Sequence, residues 1–84
     1  MADVRLSPEA QREFHALPRV VKVRMRRLLL RLENWPAVSG AKPLSGKLAG
    51  YYRLRTGDYR LRFHVRGERV IVDKIGHRKD VYDD

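Results

Sequence analysis

The sequence contains no cysteine, and its 10 acidic residues are outnumbered by 19 lysines and arginines. The first absence excludes a disulfide framework, a thiolate nucleophile and any cysteine-ligated metal site. The second leaves a formal charge of +9 on 84 residues. A balance of that sign points to a polyanionic partner, with nucleic acid first, an acidic protein segment second and an anionic membrane third. Long apolar runs are also missing. Leu28-Leu29-Leu30 falls far short of a membrane span, and the amino terminus has no apolar signal core, so a cytoplasmic protein without a membrane partner is expected. The glycines form no nucleotide-binding fingerprint, and no serine-histidine-aspartate set has a recognisable context. His15, His64 and His77 are widely spaced and lack accompanying carboxylates, so neither a metal nor a cofactor is expected. With 43% hydrophobic and 35% charged residues, the chain reads as one folded domain over residues 1–84, with a single modest core.

What is abundant is arginine, and it is concentrated in residues 51–65. There Tyr52, Leu54, Leu61 and Phe63 alternate with Arg53, Arg55, Arg60 and Arg62 on either side of Thr56-Gly57-Asp58. Period-two alternation around a glycine turn predicts a β-hairpin with one apolar and one basic face. If Gly57-Asp58 is the loop, Arg55 lies opposite Arg60 and Arg53 opposite Arg62, while Leu54 meets Leu61 and Tyr52 meets Phe63. If Thr56-Gly57 is the loop, Arg53 meets Arg60, and the arginines still share a face. His64 joins that face by the same alternation. Like charges placed directly opposite oppose folding by roughly a few tenths to 1 kcal/mol per pair. A row of them is therefore either an ordinary solvated basic face or a local cost of the kind found at functional sites.

The remaining segments supply a scaffold for this face. Val4 and Leu6 suggest a short strand ending at Ser7-Pro8, where serine can cap a helix and proline can open it. Ala10, Phe14 and Leu17 give a first helix a narrow apolar stripe, and Pro18 ends it. A second helix over 19–34 carries Val21, Met25, Leu28 and Leu32 on one side and Arg24, Arg27 and Arg31 on another. Residues 36–50, with two prolines and three glycines, read as a loop that includes Lys47, a possible phosphate contact. After a turn at Arg66-Gly67-Glu68, the run from Val70 to Ile75 is β-branched enough for a strand covered on both faces, with Asp73 opposite Arg60 or Arg62. The expected fold is α+β, a two-helix hairpin on a small, mainly antiparallel sheet of about four strands in the order β-α-α-β-β-β. The tail brings His77, Arg78, Lys79 and Tyr82 to the end of the last strand, where they can border the arginines.

Lys47-Leu48 with Gly50, then Tyr52-Arg53-Leu54-Arg55, Gly57-Asp58-Tyr59-Arg60 and the ending from Ile75-Gly76-His77-Arg78 to Lys79-Asp80-Val81-Tyr82 resemble the RelE branch of the RelE/ParE toxin superfamily over nearly the whole chain. The resemblance implies a RelE-like fold and a toxin of a type II toxin–antitoxin pair. Such a toxin cuts messenger RNA in the ribosomal A site and is silenced by a cognate protein antitoxin. It places Arg53 and Arg55 at the family's basic positions on the first hairpin strand and Arg60 where phosphate charge is stabilised. Arg78 falls at the leaving-group or phosphate position, and Tyr82 at the substrate-positioning tyrosine. Where the familiar RelE pattern has lysines on the first strand, this chain has arginines, which do not readily give up a proton. The general-base expectation therefore moves to His77, whose residue type titrates near pH 6.5, with His64 second and Arg62, His64 and Lys47 as further RNA contacts. Two rivals stay open: a ParE-like toxin that poisons DNA gyrase by binding, and an RNA-binding module that cuts nothing.

Overall fold

The computed structural model describes residues 1–81. The chain runs β1 (Asp3–Leu6), α1 (Pro8–His15), α2 (Arg19–Leu32), β2 (Lys42–Pro43), a 3-10 turn (Gly46–Leu48), β3 (Tyr51–Thr56), β4 (Tyr59–Arg66) and β5 (Arg69–His77). The strands form one five-stranded sheet in the order β1-β5-β4-β3-β2. Both helices pack on the same face of it. Their Ala10, Met25, Leu28 and Leu32, with Leu17 of the connection between them, form one cluster with Leu54, Leu61, Phe63, Val70, Val72 and Ile75 of the sheet.

Local chemistry accounts for the helix ends. Ser7 Oγ accepts a hydrogen bond from the Ala10 N–H at 3.1 Å, and Pro8 occupies the first turn, where its missing N–H costs nothing. Pro18 separates α1 from α2. The second helix stops two residues before the expected end at 34, and Trp35 turns back to sit edge-on to Tyr52 and Phe63, with ring centroids 4.8 and 5.2 Å away.

Three features differ from expectation. The sheet is mainly antiparallel, as expected, but has five strands in place of about four, because Lys42 and Pro43, inside the expected loop, pair with Arg53 and Tyr52 at its edge. Proline is tolerated there because the outer side of an edge strand needs no donor. The opening strand lies parallel to the last, Val4 beside Val70 and Leu6 beside Val72, so β5 is flanked on both edges. It is covered on only one face, however: Val70, Val72 and Ile75 are buried, whereas Ile71 on the other face is half-buried. The third difference is a register shift. Phe63 pairs with Val72 but Arg62 with Lys74, leaving Asp73 as an extra residue in a bulge.

Beyond Val72, β5 loses β1 as a neighbour, and α1 takes over its edge. The Ile75 N–H donates to Glu13 Oε1 at 2.8 Å, and Lys74 Nζ lies 3.3 Å from Glu9 and 3.5 Å from Glu13. The Glu9 hydrogen bond leads in raising the Lys74 pKa above its ordinary value. No helix is long and apolar enough to cross a membrane. Removing the Glu13 carboxylate leaves the part-buried Ile75 N–H without its acceptor. Glu13→Ala is expected to lower stability by about 1–3 kcal/mol in urea unfolding, and Glu13→Gln, which keeps an acceptor oxygen, by clearly less. Equal losses would show that this bond does not secure the edge.

Candidate functional site

The face of the sheet away from the helices carries the basic row. Gly57, at φ 61°, adopts the left-handed conformation that a two-residue hairpin loop demands, and the register follows from it. Arg55 pairs with Arg60, Arg53 with Arg62 and Tyr51 with His64. Leu54 and Leu61 pair on the core side, so the arginines are held outward by the burial of their neighbours. Arg53, only 8% exposed, is packed into the row, while Arg55 is exposed.

Arg62 is held from two sides. Its Nε and Nη2 donate to the two oxygens of Asp73 at 3.0 and 2.7 Å, and its guanidinium lies 5.2 Å from the centroid of the Tyr51 ring. The Asp73 hydrogen bonds raise its pKa further above the ordinary arginine value. The register that pairs Phe63 with Val72 carries Asp73 to Arg62, and the bulge leaves it there as the extra residue. One carboxylate thus neutralises and orients Arg62 in the middle of the row.

Arg78 is brought to that tip by main-chain contacts. Its N–H donates to the Asp58 carbonyl at 2.8 Å, and the N–H groups of Asp80 and Val81 return to the His77 carbonyl at 2.7 and 3.2 Å. Gly76, opposite Arg60, has no side chain in the way of this turn; a Cβ there would stand 3.4 Å from Val81, which is 2% exposed. The main chain of Arg78 is therefore fastened at the end of the row where Arg55 pairs with Arg60. Tyr82 lies outside the described residues.

His77 is not brought to the cluster. It pairs with Tyr59, on the core side of the sheet, and its ring meets Tyr59 edge-on at 5.3 Å. It lines a cleft with Glu13, Leu17, Pro18 and Asp80, and its Nδ1 is placed to accept from the Lys79 N–H at 3.2 Å. The bulge explains the difference. Simple alternation from Asp73 would put His77 on the arginine face, but the extra residue turns Ile75 into the core and His77 with it. Lys47 is exposed on the 3-10 turn, at the end of β3 remote from the tip.

The second helix contributes more than its sequence suggests. Arg24 Nη1 lies 3.7 Å from where a Cβ on Gly57 would stand, which sets it at the hairpin tip. Arg31 donates to the Ser39 carbonyl and to Ser39 Oγ, and lines a groove of about 580 Å³ with Lys42, Arg53 and Arg55. Among the described residues, no carboxylate lines this groove. The only advance sign of this role was the seven-residue spacing of Arg24 and Arg31 on one helical face. Among the described residues, no group of three or more His, Asp or Glu side chains is placed to hold a metal ion.

Residues 4–82 match the family described as the ParE toxin of type II toxin–antitoxin systems, parDE. Toxin RelG of Mycobacterium tuberculosis is 34% identical over 82 residues, spanning 94% of this chain and 93% of its own. Toxin RelE3 of Methanocaldococcus jannaschii is 28% identical over 75 residues, spanning 86% and 85%. A chain of the toxin–antitoxin complex RelBE2 from Mycobacterium tuberculosis superposes with a TM-score of 0.79 at 28% identity, over 94% of this chain and 93% of that one.

The Arg62–Asp73 pair gives a direct check of the site's construction. Asp73→Ala is expected to cost about 1.5–3 kcal/mol in urea unfolding, since it removes two charge-assisted hydrogen bonds from a part-buried guanidinium. In a double-mutant cycle, most of that loss should vanish once Arg62 is also alanine. The same loss in both backgrounds would mean that the pair does not organise the row.

Proposed function

The chain belongs to the ParE toxin family of type II toxin–antitoxin systems, in the RelE branch of the superfamily, and from that premise we propose that it is a metal-independent endoribonuclease acting on ribosome-bound messenger RNA in the A site. The observation that carries this reading is the pairing of Arg55 with Arg60 at the hairpin tip, on the sheet face away from the helices, with the Arg78 main chain fastened to Asp58 beside them and Arg53 behind. RNA cleavage without a metal proceeds by attack of a ribose 2′-oxygen on the adjacent phosphorus. The 2′-hydroxyl gives its proton to water as the new O–P bond forms, and the 5′-oxygen takes a proton from water as its bond to phosphorus breaks, leaving a 2′,3′-cyclic phosphate and a 5′-hydroxyl. Negative charge builds on the phosphoryl oxygens in between, and preorganised cations aimed at that charge are commonly the largest single source of acceleration. Arginine suits this task because its planar fork matches phosphate oxygens and its charge persists at every relevant pH.

In this reading Arg60 and Arg78 bear on the reacting phosphate, Arg53 and Arg55 hold it and its neighbour, and Tyr82 positions the substrate. Arg62, committed to Asp73, shapes the face, and His64 and Lys47 meet RNA further from the tip. His77 acts as a positioning residue: its ring and carbonyl hold the turn that presents Arg78. A cognate antitoxin is the expected protein partner. The RelBE2 complex is a precedent in a similar protein, and a chain of charge +9 favours an acidic segment. The match to a family named for ParE supports a second reading, a toxin that binds DNA gyrase on the same fold.

One comparison separates these readings: purified protein with messenger RNA on programmed ribosomes, with free RNA and gyrase supercoiling in parallel. A-site cleavage is expected. Supercoiling inhibition without cleavage would establish the gyrase reading, and neither activity would leave an RNA-binding module. Arg60→Ala should lower the cleavage rate about 100- to 1,000-fold. His77→Ala should lower it by less than the roughly 100-fold minimum of a lost general base, with the pH–rate profile unchanged in shape. Loss of the acidic limb of the profile in that variant would instead make His77 the base.

A further inference from the structure

Halfway along the bare face the row changes character. Tyr51, His64 and Ile71 stand side by side on β3, β4 and β5, where charge gives way to rings and a β-branched side chain. The Tyr51 and His64 rings lie 5.1 Å apart at 61°, and Arg62, fixed by Asp73, covers part of Tyr51. None of the three belongs to the main core cluster or packs against it, and all three are only half-buried. A cross-strand ring pair of this kind stabilises a hairpin modestly. That accounts for the pair, but not for its position on a face that no helix covers.

Beside His64 and Ile71 is an open depression of about 600 Å³, rimmed by Asp3, Arg66, Glu68 and Arg69. Its chemistry differs from that of the groove between Arg31 and Arg55. The groove is lined by Arg31, Lys42, Arg53 and Arg55 together with Ser39, Gly40 and Leu54, a basic lining that suits phosphate. The depression offers donors and acceptors around an apolar floor, with Asp3 held in place by Arg5 at 2.9 Å and Arg69 at 3.3 Å. A nucleobase has the matching form, a flat face that stacks on rings and an edge carrying both donors and acceptors. Exposed aromatics on an uncovered sheet, flanked by arginines that track a backbone, are the physical requirements of a single-strand platform. The row lies four residues along β4 from Arg60, roughly 13 Å at the rise of a strand. The base it takes therefore belongs to a nucleotide flanking the reacting phosphate.

We propose that Tyr51, His64 and Ile71 form a stacking subsite for one base of single-stranded RNA, whose edge is read by the rim of Asp3, Arg66, Glu68 and Arg69. The subsite rests on the nuclease reading for its place relative to the cut, but its binding is measured separately. The probe is a short single-stranded oligonucleotide with 2′-O-methyl riboses throughout, which removes the attacking hydroxyl, and with one abasic position moved stepwise along it. With the full chain, one abasic position should weaken binding about 5- to 150-fold, the range of a lost base–aromatic stack, and the others should do less. In the double variant Tyr51→Leu/His64→Leu, which keeps apolar bulk without rings, that position should lose its special penalty, to within twofold of the rest. Tyr51→Phe should retain it. Thermal unfolding of each variant shows that the sheet is intact.

A flat profile in the native chain, or a penalty that persists in the leucine variant, would overturn the subsite. So would loss of binding to an acidic antitoxin segment in that variant with RNA binding unaltered, since the row would then be a protein contact. A-site cleavage with a flat abasic profile refutes the subsite alone, whereas a sharp profile without cleavage refutes the nuclease reading alone.

Discussion

Four arginines can share a face of two adjacent strands only if something holds the strands in register against their repulsion. Arg55 opposite Arg60 and Arg53 opposite Arg62 each oppose folding by roughly 0.2–1 kcal/mol. The reverse face buries Leu54, Leu61 and Phe63, and each such side chain contributes about 1.5–3 kcal/mol when fully buried. Burial outweighs repulsion, and a one-residue slip would forfeit it by turning every apolar side chain outward. The core thus fixes the position of the charges, with Gly57 supplying the turn that this register needs.

Other parts of the fold can be understood by how they serve that face. The helices cover one side of the sheet and leave the other open. Asp73 gives Arg62 a bidentate partner, and the bulge at the same residue sends Ile75 into the core and His77 after it. Gly76 leaves room for the turn that fastens Arg78 to Asp58. The face is consequently graded along its length. Arginines gather at the hairpin tip, a guanidinium paired with a carboxylate sits in the middle, and rings with a mixed-polarity hollow lie at the far end.

The hairpin could be read from the sequence because its determinants are local: alternation, a glycine turn and parity. The cap at Ser7, the stripe of Met25, Leu28 and Leu32, and the grouping of Arg53, Arg55, Arg60 and Arg62 follow from spacing alone. Several other features depend on contacts distant in sequence. The parallel pairing of Val4 with Val70 requires the whole chain to return to its first strand, and no short-range pattern encodes it. Lys42 and Pro43 form a strand too short to show alternation, and it is disguised by proline. The position of His77 depends on a single extra residue in β5, which parity counting cannot detect. Arg24 and Arg31 looked like solvated helix charge until the packing of α2 set them at the tip and beside β3.

The central claim is that RNA lies on the bare arginine face and not along the arginines of α2. Amide chemical-shift mapping of the full chain with an uncleavable 2′-O-methyl RNA tests this most directly. The account predicts the largest shifts at Arg53, Arg55, Arg60 and Arg78 and in the Gly57-Asp58 turn, with smaller ones at Tyr51 and His64. Shifts confined to the outer side of α2, around Val20, Val23 and Leu30, would contradict it.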